Sequence, residues 1–402
     1  MESKKRSFDA GAVTACLKKI KEEATAADIV STVVLLAMFM FYTLTFFVPK
    51  FYGLTEKYVG VIVFAALVIL FLLNVSIIGE IRSKNVEFIA LALLVAVTGV
   101  NILIVKSGFG CFFVMADFAM IVFLSSRIRF AKWQVYLFGG LYVLMTVYWF
   151  AFVYTWMFAD YESFAMNTNT AATFTVFSIL CVLVFFDALY QRYRIAGLFI
   201  VIALVKCLQI SLYHRSRGAF VMLFAYLALR FLIPSKLWEK KGFFNGMLVF
   251  STLGSLVFVA LYVAVASAGV NFRMPFFYKN IFSGREAIWL EFWNLFKAKP
   301  LTGIGTNVTI TSFFEFNVHN AMYNILVIHG LIVFALTMFL IFRIWGRCRE
   351  GIGMRNVARL AMVAVFAVCI ESFTDVDLIW TDYSINMIFL LLVMNSKSDF
   401  KE

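Results

Sequence analysis

The chain has 402 residues, 63% of them hydrophobic and only 14% charged, with a mean hydropathy of +0.91 and a formal net charge of +12. Soluble domains run at roughly 45–50% apolar and about 25% charged, so a water-soluble globular protein is excluded and an integral membrane protein implied. The basic excess does not read as a nucleic-acid surface, because it is dispersed over short segments between apolar runs, where anionic lipid headgroups are the natural partner.

The first 28 residues, MESKKRSFDAGAVTACLKKIKEEATAAD, lack the 7–15-residue apolar core of a signal peptide and read as a basic cytoplasmic tail with a short surface helix. Apolar runs then follow at 29–48, 58–79, 88–105, 109–126, 133–154, 170–189, 195–213, 219–234, 243–267, 320–342, 356–373 and 378–395. Each is long enough to satisfy its own backbone hydrogen bonds in hydrocarbon, and the ~10-residue alternation of a membrane β-barrel is not seen. The pattern predicts an all-α polytopic protein with about twelve transmembrane helices. They divide into helices over 29–267 and 320–395, a long loop over 268–319 and a short tail over 396–402. Within the long loop, REAIWLEFWNLFKAK (Arg285–Lys299) has apolar residues at helical spacing and stops before Pro300, which predicts an amphipathic helix lying along the membrane surface. The six cysteines, Cys16, Cys111, Cys181, Cys207, Cys348 and Cys369, are scattered and suit packing better than a metal or disulfide framework.

Lys and Arg fix the orientation. With both termini inside, the inner segments hold 22 of them and the outer segments 10, five of the latter in the long loop, which the positive-inside rule weighs lightly. One short outer segment breaks the pattern: HRSRGAF, His214–Phe220, puts His214, Arg215 and Arg217 together between the seventh and eighth runs. Interfacial anchoring is one reading and ligand binding the other. The same topology brings Arg285, His319 and Glu371 to the same side. Arginines at a membrane surface suit a diphosphate, because guanidinium binds phosphate oxygens in bidentate fashion and stays charged. A histidine beside them can move a proton near neutral pH. Arg285 opens a predicted helix, where a cation opposes the dipole, and this favours a ligand role. Near the midplane, Asp117 and Lys206 are expected either to form a structural ion pair or to serve an ion relay. His329, beside Gly330 and ten residues into its run, reads as a packed core residue.

In order along the second half, SRGA, GREAIW, PLTGIG and HNAMYNILVIHG resemble the O-antigen ligase and polymerase superfamily over roughly 195–345. The resemblance implies a bacterial inner-membrane glycosyltransferase with a GT-C-like helical fold, independent of metals and nucleotide sugars. The donor would be an undecaprenyl-diphosphate-linked oligosaccharide at the outer leaflet. A flippase and a chain-length regulator are the implied protein partners. Carried over residue by residue, Arg217 matches the SRGA arginine, Arg285 the loop arginine and His319 the histidine of the HN motif. The expected catalytic set is therefore His319, Arg217 and Arg285, joined on topological grounds by Glu371. Arg215, His214, Gly303, Gly305 and Asn320 are the expected substrate-binding residues, with the amides of Gly303 and Gly305 either forming a turn or approaching a phosphate.

The chemistry expected is an inverting transfer. Arg217 and Arg285 stabilise the departing diphosphate, His319 takes the proton of the acceptor hydroxyl, and Glu371 orients His319 or replaces it. No metal site is expected. Asp375 and Asp377 in the last outer loop can be read as a metal-binding pair of carboxylates, but a solvated surface pair is preferred, and the first outer loop, with only Glu56 as an acidic residue, weakens a metal-dependent mechanism. Polymerisation of repeat units is preferred, with ligation of a finished glycan to lipid A core or another surface acceptor as the alternative. A flippase or transporter is the reading from another class, opposed by the lack of repeated halves and by only four prolines.

Overall fold

The computed structural model describes residues 25–47, 51, 56–153, 168–270, 273, 274, 277, 280, 282, 284–312 and 317–396. The basic tail up to residue 24, with its expected surface helix and Cys16, lies outside the described residues, as do the last six residues and parts of the long loop. The described residues form helices and no strand; Arg273 and Asn280 make one isolated bridge.

The chain runs α1 (Ala26–Phe47), α2 (Val59–Asn74), α3 (Ile77–Arg82), α4 (Val86–Val105), α5 (Phe109–Leu124) and α6 (Lys132–Tyr148). It continues with α7 (Thr168–Tyr190), α8 (Ala196–Tyr213), α9 (Arg217–Phe231), α10 (Lys241–Thr252) and α11 (Gly254–Ser267). α12 (Arg285–Phe296), α13 (Ala321–Arg347), α14 (Asn356–Glu371) and α15 (Ser384–Asn395) complete it. Every predicted run thus contains helix. Among the described residues, six helices are long and apolar enough to cross a bilayer, or seven with the bent pair α10–α11 taken as one span. Length and composition therefore establish a membrane protein at that coarser count rather than at twelve.

The shortfall has a physical cause. A lipid-facing helix needs about 20 apolar residues to span the hydrocarbon. α5 and α14 have 16 residues each and α15 only 12, and other helices bury α5 from Met115 onward and nearly all of α14 and α15. α7, 83% buried over its apolar window, sits in the middle against α6, α8, α9, α14 and α15. The outer helices carry a lipid-type surface instead, with Leu103 71% and Leu144 67% exposed.

Three boundaries depart from the sequence reading. The run 243–267 is two helices bent by 48°. Ser251 and Thr252 both donate to the Leu248 carbonyl, at 3.3 and 2.6 Å, and Gly254 follows, a combination that bends helices. The last helix begins at Ser384, six residues later than predicted. α13 is broken at Gly330, whose φ of 87° and ψ of 168° are open only to glycine.

The expected Asp117–Lys206 pair does not form. Lys206 is exposed on α8 and donates to Gln209 Oε1 at 2.9 Å, whereas Asp117 is fully buried in α5 and neither of its oxygens has a hydrogen-bond partner among the described residues. The buried ion pair is instead Arg230–Asp187, bidentate at 2.6 and 2.8 Å and shared with the Tyr226 hydroxyl at 2.7 Å. A second network surrounds buried Glu87, with Arg347 at 2.9, Arg343 at 3.4 and Arg127 at 3.9 Å. It lies at the C-terminal end of α13, opposite the end that begins after His319.

Candidate functional site

The HRSRGAF segment is a tight helix-to-helix turn. Arg215 adopts φ +50°, its N–H donates to Leu212 O at 3.1 Å, and the Ser216 N–H donates to Ser211 O at 2.9 Å. These two bonds form a Schellman motif, with an arginine in the left-handed position that glycine usually takes. Ser216 then caps α9 through its side chain, accepting from the Ala219 N–H. The next two residues, Arg217 and Gly218, therefore stand in the first turn of α9. The Arg217 guanidinium donates to Asn280 O at 2.8 Å, tying α9 to the long loop. Gly218 lies against Glu371: a Cβ there would be 2.7 Å from Glu371 Oε1 and 3.2 Å from Thr173 Cγ2.

α12 is the predicted amphipathic helix. Ile288, Trp289, Phe292 and Phe296 are buried while Leu290 and Trp293 are exposed. Trp289 donates to Val318 O at 2.6 Å, and Tyr323 donates to Trp289 O at 2.8 Å, so α12 is fastened to the two residues flanking the His319 turn. Glu291 holds the following loop through the Thr311 and Ser312 N–H groups at 2.7 and 2.8 Å. Donation by Ser312 and Thr311 draws its carboxyl down to about 2. Arg285 opens α12 behind Gly284, which has φ +87°. Its charge acts against that of Arg217 and in favour of ionised Asp375. Three segments far apart in sequence thus share one electrostatic neighbourhood.

His319 has φ +51°, and its N–H donates to Asn317 Oδ1 at 2.8 Å. Its Nδ1 faces Asp375 Oδ1 at 3.9 Å, so the carboxylate beside it is Asp375 rather than the expected Glu371. The cap of α13 belongs to Asn320. Its Oδ1 accepts from the Tyr323 N–H at 2.9 Å and the Ser255 hydroxyl at 2.7 Å, and its Nδ2 donates to Phe373 O at 2.8 Å. Together with Ala321 N–H to Ser372 O at 3.0 Å, this bonding clamps the start of α13 to the end of α14 and sets His319 beside the acidic loop. Asn320 is fully buried and engaged by protein, so its expected substrate contact gives way to a structural role.

Gly303 and Gly305 are likewise corrected. Both have positive φ, and their amides are spent within the protein, Gly303 on Lys299 O at 2.9 Å and Gly305 on Ile328 O at 3.1 Å. The segment fills the break in α13: Ile304 N–H bonds Val327 O, and Leu331 N–H bonds Pro300 O, each at 2.9 Å. A Cβ on Gly303 would strike the Ile328 carbonyl, and one on Gly330 the Leu301 carbonyl. The turn reading holds and the phosphate reading does not. His329 is a buried packing residue, as expected, 3.8 Å from Cys111 Sγ. His214 is 8% exposed, with its ring edge-on to Tyr213, and burial lowers its pKa to about 4. Arg215 is exposed at the rim.

Asp375 and Asp377 are not a solvated pair. Asp377 is 4% exposed, the Asp375 side chain 27%, and Glu371 not at all. One carboxylate oxygen from each of the three lies within 4.8 Å of the other two. Burial alone would raise Asp375, but the facing His319 and the Arg285 guanidinium outweigh it and hold the carboxyl below its usual range. Burial and the neighbouring Asp375 charge push Asp377 well above. Tyr383 and Thr173, whose hydroxyls are 3.2 Å apart, stand against Asp377. These last two residues carry no signal in the sequence, whereas the DVD run two residues beyond a predicted helix end does.

A cavity of about 630 Å³ is lined by Lys57, Tyr58, Asn317, Val318, Trp380 and Asp382; it reaches the residue before His319, but no carboxylate of the cluster lines it. No protein-family model matches the chain, and no curated protein matches it.

Proposed function

We propose that the chain is a membrane glycosyltransferase that takes glycan from an undecaprenyl-diphosphate-linked donor and polymerises repeat units of a bacterial surface polysaccharide. The observation that carries this reading is that one end of the bundle gathers the first turn of α9, where Arg217 bonds Asn280 of the long loop and Gly218 packs on Glu371, with His319 facing Asp375, and that the Arg285 charge acts on both Arg217 and Asp375. Two guanidiniums that repel each other gain most from a dianionic ligand between them. On this reading twelve helices cross the bacterial inner membrane in a GT-C-like arrangement, both termini are cytoplasmic and the site is extracytoplasmic.

The reaction then follows from the side chains. The acceptor hydroxyl oxygen attacks the anomeric carbon of the donor sugar, from the face opposite the diphosphate, and the bond from that carbon to the phosphate oxygen breaks. The hydroxyl proton passes to the imidazole of His319, whose Nδ1 faces Asp375 Oδ1 at 3.9 Å. The electron pair leaves with the diphosphate, whose charge meets Arg217 and Arg285, an electrostatic contribution of about 10²–10³ in rate for each donor. The cavity walled by Trp380 and Tyr58 offers sugar-stacking surfaces for the acceptor. α12 covers the site and keeps water from competing with the acceptor.

Purified protein incubated with undecaprenyl-diphosphate oligosaccharide, followed by product sizing, tests the reading. A ladder of products is expected. A single shift on a separately supplied acceptor would assign ligation instead, and unchanged donor would end both.

A further inference from the structure

Glu371, Asp375 and Asp377 gather three carboxylate oxygens within 4.8 Å of one another at the end of α14. Like charges this close repel strongly where water is excluded, so such a group needs a compensating cation or proton. Two of its oxygens are also orphaned. Glu371 Oε1, on a side chain with no exposed surface, and Asp377 Oδ2, on one 4% exposed, accept no hydrogen bond among the described residues. A buried acceptor left so destabilises the fold, and folded proteins seldom leave one without a reason.

The surrounding structure holds the oxygens there. Ser372 Oγ accepts from the Leu378 N–H at 3.0 Å and Thr374 Oγ1 donates to Glu371 O at 3.1 Å, which folds the loop back over the helix end. Gly218 leaves the room that Glu371 Oε1 occupies. Asp375 turns Oδ1 to its own loop, accepting from the Val376 N–H at 2.9 Å and facing His319, a carboxylate–histidine arrangement that often orients a metal ligand.

We propose that Glu371, Asp375 and Asp377 bind one hard divalent cation. An all-oxygen donor set selects Mg²⁺, Mn²⁺ or Ca²⁺ over the thiophilic metals. Ca²⁺, with bonds of about 2.3–2.6 Å, bridges oxygens up to roughly 4.6–5.2 Å apart and fits the spacing as it stands; Mg²⁺, at about 2.0–2.1 Å, requires the three side chains to tighten slightly. The ion would give the orphaned oxygens their missing partner and replaces the metal-free expectation drawn from the sequence. Cation binding stands without the glycosyl-transfer reading; only its use, as a third positive charge for the diphosphate, rests on that reading.

The test titrates Mn²⁺ into the EDTA-stripped full-length protein in detergent and follows free Mn²⁺ by electron paramagnetic resonance. One saturable site per chain is expected, displaced by Ca²⁺ or Mg²⁺ and weakened at least tenfold in Glu371→Gln and Asp377→Asn. Thermal unfolding without metal reports whether those variants fold; should either fail, Asp375→Asn, at the partly exposed member, takes its place. A wild-type protein with no such site, or folded variants that bind Mn²⁺ as before, overturns the proposal. A parallel glycan-transfer assay separates the two readings. Transfer that continues in EDTA without a Mn²⁺ site leaves the transferase and removes the cation, whereas a Mn²⁺ site on a protein that moves no glycan does the reverse.

Discussion

Gly218 is where the SRGA motif touches the acidic cluster, and it turns a sequence resemblance into a steric statement. A methyl group there would lie 2.7 Å from Glu371 Oε1. Gly218→Ala should therefore fold and insert but lose at least tenfold in glycan transfer, while Gly242→Ala, with nothing within 4 Å of the added carbon, should transfer normally. Equal transfer by the two variants would separate Gly218 from the site. His214 gives a pH prediction. Burial lowers its pKa to about 4, against about 6.5 in an unfolded chain, so as pH falls the unfolded state takes the proton first. Its contribution is constant above pH 6.5 and declines from there to about 4. His214→Gln should flatten that part of the thermal-stability profile, and a wild-type slope in the variant would contradict the assignment. At this scale the arginines and His319 were legible because charge is rare in so apolar a chain. The role of Asp377 was not, since nothing local distinguishes a solvated carboxylate from one folded under a helix end.

At the scale of elements, the break in α13 links two motifs that look independent in sequence. PLTGIG supplies the hydrogen bonds that the helix loses at Gly330. Both Gly303 and Gly330 hold positive φ against backbone that cannot give way. An alanine at Gly330 pays about 1–3 kcal/mol for the backbone conformation alone, before the collision with the Leu301 carbonyl. Gly330→Ala and Gly303→Ala should each lower the unfolding temperature by several degrees or prevent insertion, while Gly246→Ala, in open space, should not. The break was invisible in the sequence because apolar residues continue on both sides of Gly330, and hydropathy reports lipid compatibility rather than backbone continuity. α12 was legible for the opposite reason: its amphipathic spacing is interrupted at Pro300, and the helix ends just before it, at Phe296.

Across the whole molecule, charge collects at two ends of a helical body. α13, 27 residues and about 40 Å long if straight, has His319 just before its start and Arg343 and Arg347, on Glu87, near its other end. Arg230, paired to Asp187 far from the site, is structural: Arg230→Ala strands a buried carboxylate and should destabilise by about 3–5 kcal/mol, read as lower yield and melting temperature rather than as altered product length. The positions of the helices were legible because hydrophobic run length is set by the solvent. Which helices meet lipid and which meet protein was not, because Asp117, Asp187 and Lys206 all interrupt apolar runs alike and only packing shows which of them is paired.

The most direct test is the rate at which purified protein releases undecaprenyl diphosphate from a lipid-linked oligosaccharide, compared for wild type, Arg217→Ala and Arg285→Ala. On the proposed mechanism, wild type is expected to release it and each variant to lose about 10²–10³ in rate, with folding and melting temperature retained. Release at the wild-type rate from either variant, or none from a folded wild-type protein, would contradict it.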